Sequence, residues 1–189
     1  IMDLANSLLK HDTALSSEDI NQEYEAKSSG IIPAVLVAKE MTEYNMIAKL
    51  INEINDDYEQ DGFSGTIGVL SYSKKYRDTI QYVLKQNGIN CEIIKDHEGS
   101  ALSSGVKVLT MHGAKGLEFD TVIITGLNKY FPNIRNTLED DREAEINTAR
   151  RLMYVSMTRA KDNVYLTYKG EPSMFIKELD PALYETEIY

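Results

Sequence analysis

Apolar residues along the chain alternate between two rhythms, a three-to-four-residue spacing and short uninterrupted runs, and the alternation predicts helices and strands in turn. Ile1, Leu4, Ala5, Leu8 and Leu9 share one face of a helix over Ile1–Lys10 that lacks a capping residue and is expected to begin before Ile1. Thr13–Gly30 is polar and reads as a surface loop. Ile31–Val37 is a candidate strand with Pro33 near its start, where a missing N–H is tolerated. Met46, Ile47, Leu50, Ile51 and Ile54 mark an amphipathic helix over Glu40–Ile54, which the polar run Asn55–Asp61 is expected to end.

Thr66–Leu70 predicts a strand, and Lys74–Gln86 a helix through Ile80, Val83 and Leu84 with Asn87-Gly88 as its stop. Cys91–Ile94 reads as a short strand and His97–Gly105 as a polar loop. Val106–Met111 and Thr121–Thr125 are buried strands flanking an HGAKG turn. The longest helical stretch, Leu138–Arg159, carries Glu139, Asp140 and Asp141 near its start, where anions suit the helix dipole. Val164–Tyr168 closes the series as a strand, followed by an amphipathic tail over Met174–Leu179. Strands alternating with helices imply an α/β fold with a mostly parallel, doubly wound sheet.

Composition narrows the function more than the fold. At 189 residues, 42% hydrophobic and 26% charged, the chain suits one globular domain with a sizeable core. Its formal net charge of -10 argues against sequence-blind adhesion to nucleic acid, so any such contact has to be local. Cys91 has no intrachain cysteine partner, and His11, His97 and His112 lack zinc-ligand spacing, so a reducing, cytoplasmic setting without a protein-held metal is expected. No apolar run approaches the roughly 20 residues that span a bilayer.

Ligands of such sheets collect outside the carboxyl ends of the strands, where the HGAKG turn would place His112 and Lys115 in a cleft. Gly113 and Gly116 would let backbone approach a phosphate, and Thr110 offers a hydroxyl. The plainer alternative is a strand-turn-strand connection with a solvated lysine. Glu118, set among Leu117, Phe119 and the following apolar strand, is expected to need a partner such as a ribose hydroxyl or an arginine, because burying it unpaired is expensive. Arg159 lies four residues after Val155 and so continues an apolar helix face to the core's edge. There it would either stabilise a transferring γ-phosphate or complement the helix C-terminus, the role read for Arg150 and Lys161. Tyr76, Tyr82 and Tyr154 sit at helical positions that core or edge packing explains more often than base stacking. No G-x-x-x-x-G-K-[ST] loop occurs, so these residues make half of a phosphate site.

Taken together, LTMHGAKGLEFDTVIITG resembles motif V, and RRLMYVSMTRAKDNVYLTY motif VI, of the UvrD/Rep-like superfamily 1 DNA helicases. Ile67–Ile89 looks like the strand and helix of motif IVa, and Ile1–Lys10 is similar to the helix after the family's Q-N-Y-R-S segment. The resemblance implies a RecA-like fold over residues 1–189, namely the second motor domain, 2A, of an ATP-dependent 3′ to 5′ helicase or translocase. By position it implies Arg159 on the γ-phosphate, Glu118 near the nucleotide sugar with Gly116 shaping the ATP-side turn, and Thr110 and His112 on single-stranded DNA, with Lys74 meeting a phosphate. ATP with Mg²⁺ is implied, the metal being held by an N-terminal RecA-like domain of the same protein, so the isolated chain is expected to lack ATPase activity. Ser71-Tyr72-Ser73-Lys74 replaces the usual Tyr-Arg-x-Asn run, and Thr148-Ala149 replaces the acidic pair before Arg150. The short segment between Ile94 and Val106, where larger members carry a 2B insertion, points to a compact relative. A HelD-like RNA-polymerase-associated ATPase domain is the alternative within the class. Outside it stands a non-catalytic module docking repair or polymerase partners through the acidic stretch Leu138–Glu145.

Overall fold

A computed structural model describes residues 1–16, 31–94 and 103–189. The loop expected over Thr13–Gly30 lies outside these from residue 17 onward, and the one expected over His97–Gly105 does so through residue 102. In chain order the elements are α1 (Met2–Leu9), β1 (Ala34–Ala38), α2 (Glu43–Gln60), β2 (Thr66–Ser71), α3 (Lys74–Gln86) and β3 (Cys91–Ile93). There follow β4 (Gly105–Thr110), β5 (Phe119–Thr125), α4 (Arg142–Met157), β6 (Ala160–Lys169), α5 (Met174–Glu178) and β7 (Glu185–Ile188). The strands form one sheet in the order β3-β4-β2-β5-β6-β1-β7, every neighbouring pair parallel.

Strand side chains alternate between the two faces, and each face is covered. Leu70, Leu109, Val122, Ile124 and Leu166 pack with Leu4, Leu8, Met153, Met157 and Phe175, placing α1, α4 and α5 on one side. Ile67, Val69, Val108 and Ile123 pack with Met46, Ile47, Ile51, Ile80 and Leu84, placing α2 and α3 on the other. Each such aliphatic side chain contributes about 1.5–3 kcal/mol when fully withdrawn from water. The α/β, doubly wound architecture is the one expected.

Several boundaries differ from the expectation for identifiable reasons. Helix α2 runs through the polar stretch to Gln60, because Tyr58 prolongs the buried stripe of Ile51 and Ile54 and its hydroxyl meets Thr121 Oγ1 at 2.8 Å. Polar residues on the outer face do not interrupt it. Conversely, α4 stops at Met157, and the three acids at its start form a separate 3-10 turn over Glu139–Asp141. Thr158 occupies its cap, so Arg159 lies beyond the helix, one residue before β6. Strand β7 was unmarked by any apolar run; its four residues are exposed, and it pairs with β1 at the sheet edge.

Candidate functional site

Strands β2, β4 and β5 end at one level, Ser71 being opposite both Thr110 and Thr125. Beyond Thr110 the chain makes a 3-10 turn over His112–Ala114, in which Gly113 N donates to Thr110 Oγ1 at 3.1 Å. Met111 and Ala114 are buried beneath the turn, leaving His112 and Lys115 exposed. The His112 ring lies 5.8 Å from that of Tyr72, which contacts Phe131 at 5.1 Å, which in turn contacts Phe175 at 5.3 Å. An aromatic series thus links the exposed histidine to the core.

Beside it, Ser73 caps α3 by accepting from Tyr76 N, and Lys74 and Lys75 occupy the first turn with no acidic residue. Cations are disfavoured at that end of a helix dipole, so helix stability does not account for them. Neither forms an ion pair among the described residues. A cavity of about 310 Å³ opens next to this helix start, lined by Tyr72, Tyr76, Thr125, Asn128, Tyr130 and Asn133. Arg135 lies over the exposed Tyr130 ring at 4.5 Å, with Lys129 Nζ at 5.6 Å.

The other expected residues gather elsewhere. Phe119 N donates to Arg159 O at 2.9 Å, which puts Glu118 and Arg159 at the amino ends of β5 and β6. From Phe119 to Thr125 the strand covers roughly 20 Å at about 3.3 Å per residue, so the structure separates Thr110, His112 and Lys74 from Glu118 and Arg159 by the height of the sheet. Segment 111–118 joins them, anchored on the core by Ala114 and Leu117. Arg159 is half-buried; its Nε donates to Val155 O at 3.1 Å and its second amino group to Thr158 Oγ1 at 3.4 Å. No carboxylate among the described residues pairs with it.

Three readings are corrected here. Glu118 is exposed while Leu117 and Phe119 turn inward, so it has no burial cost to offset and needs no partner on that ground. Arg150 does not complement a helix terminus: it lies within α4, 4% exposed, with two 2.9 Å bonds to Glu178 and a further bond to Asn147. Lys161 is on β6 and pairs with Asp120 at 3.1 Å. Asp120 also accepts from Thr66 N and Oγ1 at 2.7 and 2.8 Å; burial alone would raise its pKa, but these donors and Lys161 hold it below the usual carboxylate range. Gly116 has φ +83° with open space where a Cβ would stand, so the turn's left-handed backbone accounts for the glycine.

Residues 95–171, spanning the turn, β5, α4 and β6, match the family described as the UvrD-like helicase C-terminal domain. Over these residues the chain carries UvrD-like helicase C-terminal sequence. It is 33% identical to the ATP-dependent DNA helicase Rep of Buchnera aphidicola over 86% of this chain and 22% of that one. It is 35% identical to the ATP-dependent DNA helicase PcrA of Staphylococcus aureus, over 49% of this chain and 14% of the relative. A solved structure titled as the C-terminal domain of a possible DNA helicase from Lactobacillus plantarum superposes with a TM-score of 0.61 at 25% identity, covering 83% of this chain and 86% of that one. The chain thus spans about a fifth or less of its curated relatives' length.

The sequence reading missed Glu43. This residue opens α2, is 4% exposed, and accepts from Tyr76 Oη at 2.6 Å, Gly126 N at 2.8 Å and Thr167 Oγ1 at 2.6 Å. Burial pushes its carboxyl pKa up, against the pull of these donors. The Tyr76 phenol is raised too, by burial and by the neighbouring carboxylate. A Thr-Glu pair at a helix start signals only capping and a dipole-compatible acid, so no local pattern marks the burial. Among the described residues of the domain, no helix is long and apolar enough to cross a membrane, and no group of three or more His, Cys, Asp or Glu could hold a metal.

Proposed function

We propose that the chain is the C-terminal motor domain of an ATP-dependent DNA helicase or translocase, serving two ligands at the two ends of one sheet. The observation that carries this is the separation of Thr110 and His112 from Glu118 and Arg159, with the core-anchored segment 111–118 between them. Relatives named as ATP-dependent DNA helicases support it. ATP would supply a γ-phosphoryl group whose transfer develops charge at the amino-end group. Arg159, free of any described carboxylate, would leave its Val155 carbonyl and set its guanidinium against that charge when an N-terminal RecA-like domain closes on this one. Glu118, exposed beside it, would accept from the nucleotide sugar, and Gly116 would shape the approach. The ligands of Mg²⁺ would come from the N-terminal domain.

At the carboxyl ends, Thr110 and His112 would hold single-stranded DNA backbone and Lys74 a phosphate, while the tyrosine-lined cavity receives a base. Lys74, Lys75 and Arg135 make this region locally basic on a chain of net charge -10, which suits local strand contact. In the full-length protein, His112→Ala should lower DNA-stimulated ATP turnover about tenfold, the value of one modest base or backbone contact, with basal turnover changed less than about twofold. Equal losses in both would assign His112 to structure and remove it from the DNA contact.

A further inference from the structure

We infer that Glu43 is a positioning residue for the strand-binding end of the sheet: its buried carboxylate holds Tyr76 and the Gly126 turn so that the Tyr76 ring stands as a fixed wall of the cavity that takes a nucleobase. The inference rests on the DNA reading proposed above and adds a residue that touches no ligand. In the cavity wall, Tyr76 is bonded directly to Glu43 through its hydroxyl at 2.6 Å. Gly126, also in the cavity wall, gives its N–H to the other carboxylate oxygen at 2.8 Å. That glycine has φ +78°, and a Cβ there would come to 3.4 Å from the Tyr76 ring, so the turn and the ring already pack against each other. Tyr44 supports the ring from another direction, with centroids 5.0 Å apart.

A carboxylate this deeply buried costs several kcal/mol unless its bonds are complete. An apolar residue at the same position on α2 would take this acceptor from the Tyr76 hydroxyl, the Gly126 N–H and the Thr167 hydroxyl, so the carboxylate is their common partner. What the carboxylate adds is a single point joining α2, α3, the end of β5 and, through Thr167, β6. A tyrosine anchored by a charge-assisted bond keeps one ring orientation, and a fixed ring offers stacking area without an ordering cost when a base arrives.

The test compares affinities of the full-length protein for a poly-dT strand and for an abasic strand of equal length. Glu43→Gln preserves shape but removes the charged acceptor from Tyr76; Tyr76→Phe removes the hydroxyl from the other side, and carries the test if the first variant does not fold. Each is expected to weaken poly-dT binding about five- to tenfold, the range of one stacked base, and abasic binding less than twofold. The double variant should be no weaker than the worse single one, as for two residues acting through one bond. Equal losses on both strands, or none on either, would overturn the inference. His112→Ala separates the two readings: if it weakens both strands while Glu43→Gln leaves base dependence intact, the proposed function stands and this inference falls. A parent protein that binds neither strand overturns both.

Discussion

Arg159→Ala in the full-length protein is expected to cut ATP turnover by about 10³ or more, because an arginine set against a transferring phosphoryl group contributes about 10³ to 10⁵. The fold should be nearly indifferent to the change. In the present conformation the guanidinium bonds only a helix-terminal carbonyl and a threonine hydroxyl, and water replaces both at a half-buried position. The helix-terminus contribution lost is about 0.3–1 kcal/mol. Arg159→Lys should recover little of the rate, since an ammonium keeps the charge but not the planar fork. Steady-state ATPase with saturating DNA, beside a thermal melt, measures both effects. A loss below tenfold with normal folding would remove Arg159 from phosphoryl transfer.

Arg150, nine residues upstream, should behave in the opposite way. Arg150→Ala is expected to destabilise the domain by about 3 kcal/mol, the low end for breaking a buried ion pair, because water retains some access to Glu178, which is 16% exposed. It removes two bonds to Glu178, the bond to Asn147 and a cation 5.5 Å above the Phe175 ring, all at the seam between α4 and α5. For a chain of this size the melting temperature should fall by roughly 10 °C. Replacing both partners, Arg150→Met with Glu178→Leu, should restore most of it, since apolar residues of similar volume leave no charge unpaired. A single-variant loss under about 1 kcal/mol in a denaturant melt would show that the pair is no more than a surface contact.

The contrast between these arginines shows where local reading succeeds and fails. Both fall in one motif and both follow helical spacing, yet one is held inside α4 by α5 and the other lies past the helix end. The spacing from Val155 to Arg159 is a statement about a helix that has already stopped at Met157. Glu118 fails for a similar reason: its neighbours are buried, but alternation along the chain entering β5 turns it outward. By contrast, the limits of α3 were legible to the residue, because Ser73 caps its start and Gly88, at φ +75°, closes its end by local geometry alone.

From the chain alone came the alternation of strands and helices and the parallel, two-faced sheet, since period, caps and glycine turns are encoded within a few positions, while the resemblance to motifs V and VI offered Thr110, His112, Glu118 and Arg159 as candidates. The order of the strands, the distance between the two candidate ligand ends, the pairing of Arg150 with Glu178 and the burial of Glu43 beneath Tyr76 and Gly126 were settled by contacts between residues far apart in the chain. No local pattern specifies such contacts, because they form only when the faces of separate elements are buried against one another, and burial is a property of the assembled layers.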